Sequence, residues 1–279
     1  MDLWYKEINK SEFGITIKVK QTLYSEKSAF QSIDIIETEG LGRMLLLDGL
    51  VMTSEKDEVF YHEMISHIPM LSHKNPKQVL IIGGGDGGTI REVLKHPSVE
   101  RAVLCEIDGL VVEACKKYLP TIACSLDDPK VEPQIRDGIE YISTQKAQFD
   151  IILIDSTDPM GPGEGLFTEE FYKNVNEALK PGGIMAAQSE SPLVNKKEMS
   201  LMYPLLRKAF PIVETFVGPI PTYPGGYWSW AFCSNSVKPL EFIDEARAKE
   251  IEKDAVIYNI DLHKAAFALP NFVRKLVKS

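Results

Sequence analysis

Basic residues are in deficit: 31 Lys and Arg stand against 40 Asp and Glu, a formal net charge of −9. A nucleic-acid binder needs a basic footprint for the phosphate backbone, so no nucleic-acid partner is expected. Cysteine is scarce. Cys105, Cys115, Cys124 and Cys233 form neither a disulfide framework nor a C-x-x-C metal pair. Two of them sit in apolar surroundings and read as small core residues, which points to a reducing compartment. No apolar run approaches the ~18–20 residues of a membrane span, so no membrane partner is expected. The start, Met1-Asp2-Leu3-Trp4-Tyr5-Lys6-Glu7, has neither a basic n-region nor an apolar h-region, and the expected location is cytoplasmic. Gly and Pro, at 19 and 17, are too few for a collagen-like chain, and internal repeats and low-complexity linkers are missing.

What remains is an ordinary globular composition, 44% hydrophobic and 25% charged. At ~150 residues per domain the 279 residues make one or two domains, each large enough to bury a core. An acidic surplus mostly serves solubility, but it also attracts cationic substrates.

The hydrophobic pattern changes near residue 55. Before it, Gly14 to Lys20 alternates Ile15, Ile17 and Val19 with polar residues, Phe30 to Thr38 carries Ile33, Ile35 and Ile36, and Arg43 to Leu47 is apolar. Asp48-Gly49 is a hairpin signal before Leu50-Val51-Met52-Thr53. A small antiparallel β domain over 1–54 is predicted. Ser54 with Asp57 and Glu58 resembles a helix start, and Phe60, Tyr61, Met64, Ile65 and Ile68 follow at helical spacing.

Strands and helices then alternate. Strands are predicted at Val79 to Ile82, Arg101 to Glu106, Val131 to Arg136, Phe149 to Ile154, Ile184 to Gln188, Val213 to Val217 and Trp228 to Cys233. Helices are predicted at Gly87 to His96, Leu110 to Tyr118, Ile139 to Thr144, Thr168 to Leu179 and Lys196 to Phe210. Continuous apolar strands alternating with helices mean an α/β fold with a mostly parallel, doubly wound Rossmann-like sheet, here over 55–279.

Such sheets bind ligands beyond the carboxyl ends of their strands. After the first strand comes Gly83-Gly84-Gly85-Asp86-Gly87-Gly88, whose five glycines let a backbone approach a ligand closely and turn into a helix. Asp86 opposes a pyrophosphate at that helix start but suits a ligand bearing an amine or sulfonium. Glu106 ends the second strand, about 20 residues on, where an acid accepts from ribose hydroxyls. Asp137-Gly138 follows the third strand and reads either as an adenine contact or as a helix cap. The fourth is followed by Asp155-Ser156-Thr157-Asp158-Pro159-Met160-Gly161-Pro162-Gly163, two acids in a loop that Pro159 and Pro162 keep from being α-helical and that reads as a lid.

The Gly-Gly-Gly-Asp-Gly-Gly segment at 83–88 and Asp-Ser-Thr-Asp-Pro at 155–159 resemble the polyamine aminopropyltransferases, the family of the spermidine synthases. Leu47-Asp48-Gly49, Asp57-Glu58 through Tyr61-His62-Glu63-Met64, Arg136-Asp137-Gly138 and Pro221-Thr222-Tyr223-Pro224-Gly225-Gly226 fit the same family, over essentially the whole chain.

The resemblance implies a methyltransferase-type Rossmann-like fold and a reaction. Decarboxylated S-adenosylmethionine would give its aminopropyl group to putrescine, forming spermidine and 5′-methylthioadenosine. That donor is a co-substrate; no cofactor and no metal are expected. By the same likeness Asp155 is the general base and Tyr61 the hydroxyl that helps orient and deprotonate the amine. Gln31, Gly83, Gly85, Asp86, Glu106, Asp137, Gly138 and Pro162 would bind the donor. His62, Asp86, Asp155, Asp158, Gln188 and Tyr223 would line the acceptor side, with Trp228 and Trp230 as apolar or cation–π walls. Tyr61, His62 and the tryptophans could equally be core residues. The partners implied are the two small substrates and a second copy of the chain, as homodimer or homotetramer. A methyltransferase shares this fold, and G-x-G-x-x-G alone also allows a nicotinamide-dependent oxidoreductase. Asp86 and the paired acids speak against both.

Overall fold

Two β-sheets divide the strands of this computed structural model, which describes residues 2–9, 13–157 and 161–278. The first sheet is antiparallel, in the order β1 (Leu3–Asn9), β2 (Phe13–Lys27), β3 (Ser32–Thr38), β4 (Arg43–Leu47), β5 (Leu50–Ser54). The predicted hairpin at Asp48-Gly49 joins β4 and β5, with Asp48 at φ +48° and Gly49 at φ +73°, the left-handed pair a tight primed turn requires. Strand β2 runs well past the predicted Lys20. Register shifts near Val19 and Thr22 bend it along β3, which a single alternating pattern does not reveal. Strand β1 was not expected; it pairs with β2 along its whole length.

The chain then enters α1 (Val59–Ser72) and the alternating series of β6 (Gln78–Gly83), α2 (Gly88–Leu94), β7 (Arg101–Glu106), α3 (Gly109–Tyr118), β8 (Val131–Ile135), α4 (Gly138–Ser143), β9 (Phe149–Asp155), α5 (Glu169–Ala178), β10 (Leu179–Gln188), α6 (Lys196–Ala209), β11 (Ile212–Pro219) and β12 (Tyr227–Ser234). Helix α1 begins four residues later than Ser54 suggested. Ser54 Oγ donates to Asp57 Oδ1 at 2.6 Å and closes a turn before the helix instead of capping it. Three short helices, α7 (Glu245–Ile251), α8 (Ile260–Ala266) and α9 (Asn271–Lys278), end the chain and were not predicted.

The second sheet has the order β11-β12-β10-β9-β6-β7-β8. Strands β10, β9, β6, β7 and β8 are parallel, while β12 runs antiparallel to both neighbours. The period-2 rule is visible in β6. Val79 and Ile81 face a core shared with α1, α2, α3 and the inner face of the first sheet, whereas Leu80 and Ile82 face the core under α4, α5, α6 and α9. All four are essentially inaccessible to solvent, and truncating any of them to alanine costs about 2–5 kcal/mol.

Three cysteines, Cys105, Cys115 and Cys233, are buried and Cys124 is exposed; all four are free. Among the described residues, no helix is long and apolar enough to cross a membrane.

Candidate active site

The order of the second sheet reverses between β6 and β9, and there the crevice opens. Gly83 pairs with Asp155 in parallel register, and the Gly84 N–H donates to the Asp155 carbonyl at 2.8 Å. A Cβ on Gly83 would lie 2.1 Å from that carbonyl oxygen, and its φ of +81° suits only glycine. The glycine run is therefore a close backbone crossing at the edge of the crevice.

Above this crossing lies a cleft that opens to solvent. The carboxyl ends of β6, β7 and β9 form its floor, and the β4–β5 hairpin of the first sheet supplies a wall through Leu47, Leu50, Val51 and Met52. Tyr223, Pro224 and Trp228 face that wall, and the Tyr223 hydroxyl donates to the Met52 carbonyl at 2.6 Å. The Thr222 N–H donates to Asp57 Oδ2 at 3.0 Å and ties the same segment to the start of α1.

Five carboxylates line the cleft, Glu7, Asp86, Glu106, Asp137 and Asp155, and no Lys or Arg does so among the described residues. Each has a distinct setting. Asp86 Oδ1 accepts the Gly88 N–H at 2.8 Å, and Oδ2 lies 3.4 Å from His62 Nε2. Burial opposes its charge, yet the His62 cation holds its carboxyl below the usual range. Glu106 accepts the N–H groups of Gly85 at 3.2 Å and Asp108 at 2.9 Å; burial, with the Asp108 charge, pushes its pKa up to about 7. Asp137 caps α4 by accepting the Ile139 N–H at 2.7 Å, the helix-cap reading, and it also borders the cleft. Asp155 is partly exposed. Desolvation and the nearby Asp86 raise its pKa. Thr89 Oγ1 donates to Asp155 Oδ2 at 2.6 Å.

Tyr61 is buried beside Asp155, between the rings of His62, Tyr223 and Trp230. Burial and the Asp155 charge push its phenol well above 10. Gln31 reaches in from the first sheet, its Nε2 donating to Asp108 Oδ2 at 3.0 Å. Gln188 is buried at the end of β10, accepting the Glu190 N–H at 3.0 Å through Oε1. Gln31, Tyr61, His62, Gly83, Gly85, Asp86, Glu106, Asp137, Gly138, Asp155, Gln188 and Tyr223 thus all line one cleft. Asp158, with Pro159, lies outside the described residues, as does the side chain of Pro162; Gly161–Phe167 forms a 3₁₀-helix rather than an irregular loop. Of the two expected tryptophan walls only Trp228 reaches the cleft. Trp230 is wholly buried, stacked on Phe216 with centroids 5.3 Å apart, and supports Tyr61 from behind.

Residues 58–244 match the family model described as the spermine/spermidine synthase domain, and residues 3–55 match the one described as the spermidine synthase tetramerisation domain. The chain belongs to the spermine/spermidine synthase family. It is 47% identical to a polyamine aminopropyltransferase of Shouchella clausii over the full length of both chains. It is 49% identical to that of Caldicellulosiruptor bescii, over 100% of this chain and 99% of the relative. Among solved structures, a spermidine synthase in complex with the transition-state analogue AdoDATO superposes with a TM-score of 0.97 at 48% identity, covering 99% of this chain and 95% of that one. Spermidine synthase from Thermotoga maritima superposes at 0.94 with 46% identity, covering 99% and 94%. Membership makes this protein an aminopropyltransferase, and the methyltransferase and oxidoreductase alternatives fall away.

Glu7 in the cleft, and three residues that hold its lining from behind, escaped the sequence reading. Thr89, which orients Asp155, sits one residue past the glycine run and carried no signal beyond its position. Glu7 belongs to β1 and was missed with its strand; its Oε2 accepts the Val51 N–H at 2.8 Å. Glu58 and Arg91 were quoted or passed over without a role. Arg91 Nη2 lies 2.8 Å from both Glu58 oxygens, and Glu58 Oε2 is 2.5 Å from His62 Nδ1.

Proposed function

We propose that this chain is a spermidine synthase, moving the aminopropyl group of decarboxylated S-adenosylmethionine to putrescine and releasing spermidine and 5′-methylthioadenosine. The observation that carries this reading is the acidic bias of the cleft, five carboxylates against the one imidazole of His62, with no facing Lys or Arg among the described residues. Both substrates are cations, and a donor with a carboxylate would meet that lining with like charge.

The roles follow from the settings. Glu106 accepts from the ribose, Asp137 and Gly138 border the adenine, and Gln31, Gly83 and Gly85 close the nucleoside side. Asp86 holds the donor's ammonium. The amine of putrescine must lose a proton before its lone pair can attack. Asp155 takes that proton; its raised pKa makes it a better base than an exposed aspartate. The nitrogen bonds to the aminopropyl carbon next to sulfur as the carbon–sulfur bond breaks, and its electron pair neutralises the sulfonium. Positioning suffices for this displacement, and no added cofactor enters it. Tyr61 orients the amine: a phenol held this firmly neutral donates hydrogen bonds and takes no proton. His62, Gln188 and Tyr223 border the acceptor, and Asp158 and Pro162 keep the roles that the family likeness assigns. The match over 3–55 and the exposed Leu3, Trp4 and Ile8 on edge strand β1 support a homo-oligomer built through the first sheet.

The test is product analysis by mass spectrometry. Putrescine is supplied with decarboxylated or ordinary S-adenosylmethionine, with cadaverine, spermidine and agmatine as competing acceptors. Spermidine and methylthioadenosine should form from the decarboxylated donor alone. Equal use of both donors, or preference for another acceptor, would overturn the assignment.

A further inference from the structure

His62 carries the next inference because of what meets its two ring nitrogens. Nδ1 lies 2.5 Å from Glu58 Oε2 and Nε2 lies 3.4 Å from Asp86 Oδ2. A carboxylate has no hydrogen to give, so a neutral ring would set its lone pair against one of two anionic oxygens. Only the doubly protonated ring satisfies both. The ring cannot swing away. It is buried, Tyr61 meets it edge-on, and the space a Cβ on Gly88 would occupy is 2.2 Å from ring atoms Cε1 and Nδ1.

Glu58 is equally fixed. Both of its oxygens accept from Arg91 Nη2 at 2.8 Å, across the packing of α1 on α2. Arg91 in turn is held by Glu92 Oε1 at 2.9 Å and by the Thr121 carbonyl at 3.3 Å. The charged and titratable groups facing His62 are Glu58 and Tyr61 from α1, Asp86 from the glycine loop, Arg91 from α2 and Asp155 from β9.

We propose that Glu58, clamped by Arg91, is a positioning residue of the active site: it holds His62 as an imidazolium, the fixed counter-cation of Asp86 beside Asp155. The purpose is charge balance. Two carboxylates in one partly dry cleft drive each other towards protonation, yet one must bind an ammonium and the other must accept a proton. A cation anchored from behind by Glu58 keeps Asp86 ionised from the wall of the cleft. The directions agree: burial would lower the His62 pKa, but Asp86 and Glu58 raise it well above its ordinary value.

The inference rests on Asp86 and Asp155 acting on substrate, but its first readout needs the protein alone. The imidazole carbon–proton signals of the five histidines can be followed by NMR against pH, with His62 assigned through His62→Asn. The wild-type His62 signal should stay at its charged position from pH 6 to 8.5. In Glu58→Gln, which keeps shape and removes the anion, the His62 midpoint should enter that window, a tenfold or greater loss of proton affinity. The kcat profile should acquire a new fall above the same midpoint. If Glu58→Gln does not fold, Glu58→Asp, with its charge withdrawn by one methylene, must lower the midpoint. An unmoved His62 titration overturns the proposal. So does a kcat that drops equally at every pH, which would mark Glu58 as structural only. A wrong acceptor assignment would leave the NMR result untouched.

Discussion

Burial raises the Glu106 pKa to about 7, so at neutral pH the carboxyl shares a proton that the proposed donor should expel. In the proposed role the ionised carboxylate offers both oxygens as acceptors to the ribose hydroxyls, whereas in the neutral acid one oxygen carries a proton and accepts poorly. Apparent donor affinity should then scale with the ionised fraction. Relative to full ionisation, binding weakens about 11-fold at pH 6 and only about 1.1-fold at pH 8, a difference of about 1.4 kcal/mol. Titration calorimetry of methylthioadenosine at these two pH values, in buffers of different ionisation enthalpy, checks both the affinity ratio and the release of about half a proton at pH 7. In Glu106→Gln binding should be weaker and independent of pH. The sign for folding is the opposite of an ordinary ion-paired acid. A carboxyl raised from 4.5 to about 7 costs about 3 kcal/mol where it is ionised in both states, and the cost is relieved as pH falls through 7 towards 4.5. The unliganded Glu106→Gln variant should therefore gain thermal stability at pH 8 and little at pH 5. A wild-type protein that binds methylthioadenosine equally well at pH 6 and 8, without proton exchange, would refute this reasoning.

Three further outcomes are expected. Asp155→Asn keeps the hydrogen bond from Thr89 but cannot take the amine proton, so kcat should fall about 100-fold or more in steady-state assays while methylthioadenosine affinity is kept. Gly88→Ala drives a methyl group into the His62 ring and should lower stability by about 1–3 kcal/mol in urea titrations, together with kcat; an unchanged protein would mean the ring has room to yield. Glu63→Ala strips the acceptor from three N–H groups, those of Val256, Ile257 and Tyr258 at 2.7–2.8 Å, and should cost at least about 3 kcal/mol without altering active-site titrations.

What the sequence made legible follows from period and position. Strands β6, β7 and β9 were readable as short apolar runs, and β8 by its place in the strand–helix alternation; the acids at their ends were readable because a doubly wound sheet puts ligands there. Strand β1 was not, because Leu3, Trp4 and Ile8 face outward and give no clean buried stripe. Helices α7 to α9 are of seven or eight residues and are pinned by distant partners. Arg247 donates to the Met70 carbonyl at 3.1 Å and to the His73 carbonyl, and Glu63 gathers the backbone before α8. Local pattern carries no trace of such contacts. The Glu58–Arg91 clamp spans 33 positions and exists only because α1 packs on α2. Thr89 was hidden for the same reason: its partner lies 66 positions away.

The crossing of Gly83 and Gly84 with Asp155 is made of main chain. Only a side chain at Gly83 would force it apart; with the glycines kept, the loop at 83–85 and Asp155 move as one jaw of a vice. The opposite jaw belongs to separate parts of the chain, the β4–β5 hairpin and the Tyr223–Pro224 segment. An engineer seeking a longer or shorter acceptor should leave the first jaw alone and randomise Leu50, Val51, Met52 and Pro224. Changes there reshape that wall of the cleft while the spacing of the 83–85 loop and Asp155 stays as the backbone sets it.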